Sequence, residues 1–201
     1  MFMIVASSAI GVGGARTAPR GGAAGTHQPR GHHAYAAEPD AVTVDVLLCG
    51  PCEQERLLRD GRADVALLHR PFDATAGFDT EELHSEGQVV VLPAGHPLTS
   101  RTHLQVAEVT VLPGLPMPRW PGPDGTYPAG PGPQVRDHTQ LLQLIALGRA
   151  SAILPESCRA QLRGDLAAVP VDAPTVTTVI AWPPHSRSGA VAGLVQTATR
   201  L

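Results

Sequence analysis

The residues best suited to chemistry are Cys49 and Cys52, which flank Gly50-Pro51 in a Cys-Gly-Pro-Cys run. Two cysteines at this spacing, where a strand gives way to a helix, are the arrangement of thiol-disulfide oxidoreductases, because a helix N-terminus and nearby cations stabilise a thiolate. Here the charges run the other way. Glu53 and Glu55 fall in the first helical turn, where they suit the helix but oppose a second negative charge on sulfur, and no aromatic residue precedes Cys49. The run reads as a tight turn between two small, partly buried cysteines, and a thiol-disulfide oxidoreductase using Cys49 and Cys52 stands as the rival reading.

Other constellations are weaker. Gly11-Val12-Gly13-Gly14-Ala15-Arg16 departs from a dinucleotide-binding loop at its sixth position, where Arg16 replaces the small residue that close helix packing needs. His27, His32 and His33 have no regular framework to fix them as metal ligands, and the other six histidines are scattered singly. No Gly-x-Ser-x-Gly elbow occurs. No catalytic residue, cofactor or metal is assigned.

A binding cleft is better supported. Loops at the carboxyl ends of strands are where open α/β sheets take ligands, and here they include Gly50-Pro51 and His69-Arg70. A helix starting at His138-Thr139 would offer unpaired amides to an anion, Arg70 and Arg119 would add positive charge, and Trp120 an apolar wall.

The elements that must position these residues alternate. Thr43–Cys49 reads as a buried strand, Glu53–Arg59 as a helix stopped by Gly61, and Ala63–Leu68 as a second strand, a β-α-β unit that implies a parallel sheet. Gly87–Leu92 reads as a strand, Leu104–Val109 as a short helix and Val109–Leu112 as a strand. Pro113 to Pro133 is too rich in Pro and Gly for helix or central strand. Asp137 can cap the next helix with Gln140 as its capping-box partner, Leu141, Leu144 and Ile145 form its apolar stripe, and Gly148 ends it. Ser151–Leu154 (strand), Glu156–Leu162 (helix), Leu166–Val171 and Val176–Trp182 (strands), and a last helix from Ser188 to Arg200 complete an α/β chain.

Composition narrows the function classes. The 201 residues suffice for one domain or two small lobes. All 15 basic residues are arginine, with no lysine or asparagine in the chain, a bias of GC-rich coding; against 18 acids the net charge is −3, which disfavours a nucleic-acid-binding domain. No apolar run reaches the roughly 18 residues of a membrane helix, so no membrane is expected. Three cysteines and a poorly formed start for a secretory signal point to the cytoplasm. Gly11 to Ala34 holds little apolar side chain to offset the entropy of ordering it, so residues 1–34 are expected to be irregular, a disordered or degenerate first β-α unit.

The segment Leu57-Leu58-Arg59-Asp60-Gly61-Arg62-Ala63-Asp64-Val65-Ala66-Leu67 resembles the L-x-x-G-x-x-D-x-A-(I/L) stretch in the effector-binding domain of LysR-type transcriptional regulators. Glu86 to Leu98, ending in His96-Pro97-Leu98, and Gln143–Gly148 with Ala152-Ile153-Leu154-Pro155 are similar to two later motifs of that domain, in the same order, so the resemblance spans about Ala36 to Leu201.

This resemblance implies a two-lobed fold of the type 2 periplasmic-binding-protein kind: residues 35–82 plus 178–201 in lobe one, 83–177 in lobe two, and two crossing strands between. It implies a non-catalytic domain that holds a small effector, an anion among the candidates, against Ser7, Ser8, Pro51, Cys52, His69, Arg70, Arg119, Trp120, His138 and Thr139. At Pro51 the family often has a hydroxyl residue. No helix-turn-helix pattern precedes Val42, so this chain is not expected to bind DNA directly; its expected partners are a homo-oligomer or a full-length LysR-type regulator. A stand-alone solute-binding protein is the third reading.

Overall fold

The computed structural model describes residues 3–8, 35, 41–51, 53–122 and 124–200, of which 3–8 by their backbone. The segment Gly11–Ala34, with its glycine run and three histidines, lies outside the described residues, as does Cys52.

The strands are β1 (Met3–Ser8), β2 (Val44–Cys49), β3 (Val65–Arg70), β4 (Asp79–Pro93), β5 (Leu104–Gln105), β6 (Ala152–Pro155) and β7 (Leu166–Trp182). The helices are α1 (Gln54–Arg59), α2 (Val106–Thr110), α3 (His138–Ala146) and α4 (Gly189–Ala198). The strands form one sheet in the order β2-β1-β3-β7-β4-β6, with β5 beside β7.

The expected parallel sheet is corrected to a mostly antiparallel one. The β2-α1-β3 crossover does make β2 and β3 run the same way, but β1 lies between them and pairs antiparallel with both. β3, β4, β6 and β7 also pair antiparallel, and the short β5–β7 ladder alone is parallel. Leu166–Val171 and Val176–Trp182, read as separate strands, are one strand, and Gly87–Leu92 is the end of a strand that begins at Asp79. The polar stretch from Asp79 to Glu86 gives no period-2 signal, because its backbone pairs with β7 while most of its side chains face solvent. Val109–Leu112 is not a strand, since the chain is still helical to Thr110, and Glu156–Gln161 is a 3-10 turn rather than an α-helix.

β4 and β7 pair from Asp79↔Trp182 to Pro93↔Leu166, with register shifts between Glu82 and His84 and between Glu86 and Gln88. Apolar packing falls on either side of these shifts. Toward the end of β4, Val89 and Val91 face Leu141 and Ile145 of α3, while Val90 and Leu92 face Leu104, Val109 and Leu115. A strand covered on both faces needs no alternation, which explains the unbroken Val-Val-Val-Leu run. Beyond the shifts, Ala66 and Leu68 pack with Leu57 and Leu58 of α1, and Val65 and Ile180 pack with Val191 of α4.

The helix ends follow their sequence signals. Gly61 (φ +64°) and Gly148 (φ +65°) sit in the left-handed region just past α1 and α3, where the Arg62 amide reaches the Leu57 carbonyl at 2.9 Å and the Arg149 amide reaches the Leu144 carbonyl at 2.9 Å. Asp137 and Ser188 cap α3 and α4 through Gln140 and Val191.

Candidate functional site

The turn from β2 into α1 is closed by its own acid. The Gly50 amide donates to Glu53 Oε2 at 2.7 Å. A Cβ at Gly50 would lie 3.3 Å from that oxygen and 3.5 Å from the Arg136 carbonyl oxygen, so this turn abuts the approach to α3. Burial, then the Glu53 and Asp73 carboxylates, push the Cys49 thiol up to about 11. A thiol raised in this way resists ionisation, so the structure lends no support to the redox reading.

At the end of β3, Asp73 Oδ2 accepts the His69 amide at 2.7 Å and lies 3.6 Å from His69 Nδ1, both side chains being 8% exposed. The Phe72 and Asp73 amides in turn donate to the His69 carbonyl, and the Ala74 amide donates to Glu55 Oε1 at 2.8 Å, fastening the loop to α1. Arg70 is engaged by β4: its guanidinium lies 3.2 Å from Glu82 Oε1 and donates to Thr80 Oγ1 at 3.2 Å.

The Pro/Gly stretch before α3 is tightly built. Arg119 Nε donates to the Gly132 carbonyl at 2.6 Å and Nη1 to the Pro128 carbonyl at 3.0 Å, while its backbone bonds Pro133 and Val135. A Cβ at Gly132 would fall 1.7 Å from the Met117 carbonyl oxygen, an approach only glycine permits. Trp120 packs on the Leu141–Ile145 cluster, its ring centroid 5.3 Å from that of His138.

At the start of α3, Asp137 Oδ1 accepts the Gln140 amide at 2.8 Å, while Gln140 Oε1 accepts the Arg136 amide at 2.9 Å, a capping box displaced by one residue. By their place in the first turn, His138 and Thr139 have amides without an intrahelical acceptor. Burial pulls His138 down to about 4, against the opposing pull of the Asp137 carboxylate, and so favours the neutral imidazole at physiological pH.

The structure thus brings Gly50 against the approach to α3 and Trp120 against His138, with His69 at the end of β3. Arg70 and Arg119 lie beside them but bond within the protein, and the Thr139 side chain is exposed. Ser7 and Ser8 are not brought in: they pair with Asp45 and Val44, while Cys49 lies opposite Met3. At about 3.3 Å per residue that places Ser8 roughly 16 Å along the sheet from the β2-α1 turn. The cause is the antiparallel direction of β1. Asp73 was not singled out in the sequence, although an Asp four residues after a strand-terminal His, in a turn, is a signal for a side chain that caps backbone amides.

Two hollows lie among the described residues. One of about 20 Å³ lies behind His138, against Leu154, Ser157 and Cys158. A larger, open one of about 460 Å³ lies between α4 and the far ends of β4 and β7, lined by Glu81, Trp182, Val191 and Gln196 and by none of the gathered residues. No cluster of metal-ligating side chains and no membrane-length apolar helix occurs among the described residues.

The sequence pattern of the LysR substrate binding domain matches residues 25–201. No curated protein matches the chain in sequence. Among solved structures, the chain is similar to the reduced form of the OxyR regulatory domain from Pseudomonas aeruginosa (TM-score 0.55, 22% identity, 73% of this chain and 75% of that one). It is also similar to oxidized OxyR from Corynebacterium glutamicum (TM-score 0.53, 20% identity, 72% of this chain and 50% of that one). Full-length CbnR in complex with its target DNA is a third (TM-score 0.56, 19% identity, 74% of this chain and 56% of that one). The chain therefore spans about half of the longer regulators it matches, and the likeness at these identities is one of fold. With the match of residues 25–201 to the family pattern, the α/β sheet crossed by two long strands places this chain in the LysR substrate-binding domain family.

Proposed function

We propose that the chain is the effector-sensing part of a LysR-type regulator, binding a small metabolite without catalysis. The observation that carries this reading is the convergence of loops from both sides of the β4–β7 register shifts: Gly50 abuts the Arg136 carbonyl, and His138, two residues on, sits against Trp120. In this reading residues 35–82 and 178–201 form lobe one and 83–177 lobe two, the first register shift at Leu83 being the natural boundary. The effector lies between the lobes on Pro51, His69, Trp120 and His138, with the Thr139 amide at its edge. Binding shifts a pre-existing balance of lobe angles, and a homo-oligomer or a longer LysR-type partner carries the change to DNA through domains outside these residues. The site is cytoplasmic in this scheme.

A thermal-shift screen of a metabolite library against the chain tests the proposal. A binder should raise the melting temperature, and the rise should vanish in Trp120→Ala but persist in Trp182→Phe. A binder indifferent to both Trp120→Ala and His138→Gln, or tight sequence-specific gel shift of promoter DNA by these 201 residues alone, would overturn it.

A further inference from the structure

We infer that the hollow between α4 and the far ends of β4 and β7 is a second small-molecule site, one that takes an organic cation with an apolar body. It stands apart from the proposed effector site and does not depend on it. Its volume of about 460 Å³ falls within the roughly 300–1,000 Å³ of ligand pockets. Its walls are largely apolar: Val191, Ala192 and Val195 from α4, and Trp182 from β7.

The charge inside comes from one strand position. Glu81 pairs with Ile180 and Asp79 with Trp182, and residues directly opposite in an antiparallel ladder share a face. Ile180, Trp182 and Leu83 pack into the cluster that Val191 covers, so Glu81 is a carboxylate set on an apolar face, with Asp79 next along it but outside the hollow. Among the described residues neither an ion pair nor a hydrogen bond engages the Glu81 side chain, and the Gln196 side chain, which also lines the hollow, is equally free. Groups that could answer an anion lie elsewhere. Arg187 and Arg200 adjoin lining residues in the chain but do not line the hollow, nor do Gly189 and Ala190, whose first-turn amides lack intrahelical acceptors. Thr199 spends its hydroxyl hydrogen on the Val195 and Gln196 carbonyls, and the Ser188 hydroxyl oxygen accepts the Val191 amide. A cation therefore finds a carboxylate and an amide oxygen for its donors, the valines of α4 for its body, and an indole ring whose face attracts positive charge.

Trp120→Phe leaves Trp182 as the sole tryptophan. Fluorescence titration of that variant with cyclohexylmethylamine, cyclohexylmethanol and cyclohexanecarboxylate, which share one body, separates charge from fit. The amine should bind about tenfold more tightly than the acid, with the alcohol between. Adding Glu81→Gln should weaken the amine about fivefold, the worth of a partly screened ion pair, and leave the alcohol unchanged. Ala192→Phe, at an exposed position of α4, should fill the hollow and abolish the response to all three. Tightest binding by the acid, or an amine affinity indifferent to Glu81→Gln, would overturn the cation assignment. A response that survives Ala192→Phe, or no response of Trp182 to any of the three, would overturn the site itself. His138→Gln should leave the Trp182 response unchanged, so failure here is distinguishable from failure of the site between the lobes.

Discussion

The packing around α3 and the packing around β2 are built to different standards. Val89, Val91, Leu141 and Ile145 are fully buried, and the strand they flank is paired on both sides, by β6 and β7. β2 is the last strand on its side of the sheet, and along it Val46 is 43% and Leu48 60% exposed. The alternation of β2 explains which half is lost: Leu47 and Cys49 reach the α1 side of the core, while Val46 and Leu48 point to the other face, where α4 covers Val65 and Ile180 but does not extend over them. The β4 region is covered along both faces, whereas β2 is covered along its α1 face and, on the other, only at Val44.

That contrast can be broken or sharpened by three measurements. The largest expected effect is in urea unfolding: Leu141→Ala should cost about 2–5 kcal/mol, the transfer and cavity terms of a buried leucine, whereas Leu48→Ala should stay within about 0.5 kcal/mol. Equal losses would mean that the outer face of β2 is covered after all. Next comes pH. His138 is pulled from 6.5 to about 4 in the folded chain, so below pH 6.5 the unfolded state takes up a proton that the native state refuses. Stability present above pH 6.5 should therefore fall as pH drops to 4 and then level off, by up to about 3 kcal/mol, and His138→Gln should remove that component from the pH profile of the melting temperature. A profile identical in the variant would place His138 outside the buried seam. The smallest effect belongs to the helix cap: Asp137→Ala should cost about 1 kcal/mol by chemical denaturation, with Asp137→Ser close to neutral.

What could be read in the sequence follows the same division. The caps and stops of α1, α3 and α4 rest on contacts within a few residues, and Asp137, Ser188, Gly61 and Gly148 stand where their types require. The rigidity of the Pro113–Pro133 stretch was legible only as an absence of helix, because Arg119 holds carbonyls nine and thirteen residues away. Strand direction was not legible: a β-α-β rhythm fixes β2 and β3 relative to each other but says nothing about β1, whose antiparallel entry carries Ser7 and Ser8 away from the site. The argument from Glu53 against a reactive Cys49 agrees with the structure, since the charge is close in sequence; the larger effect of burial and the added effect of Asp73, from a loop beyond the next strand, were not legible.

The two register shifts in β4 and β7 have a mechanical meaning. The ladder breaks step at each, and between them lies a short paired run, His84–Glu86 against Val176–Thr178, where Ser85 and Thr177 share a hydroxyl-hydroxyl bond at 2.7 Å and Glu86 holds the Ser157 hydroxyl at 2.9 Å. Stiff sheet on either side makes this stretch the soft part of a beam. In the proposed two-lobed reading, bending concentrates there, a small turn at Leu83 and Gly87 is magnified along the lobes into a displacement at their facing loops, and a ligand bridging Gly50 and His138 would set the angle of the whole.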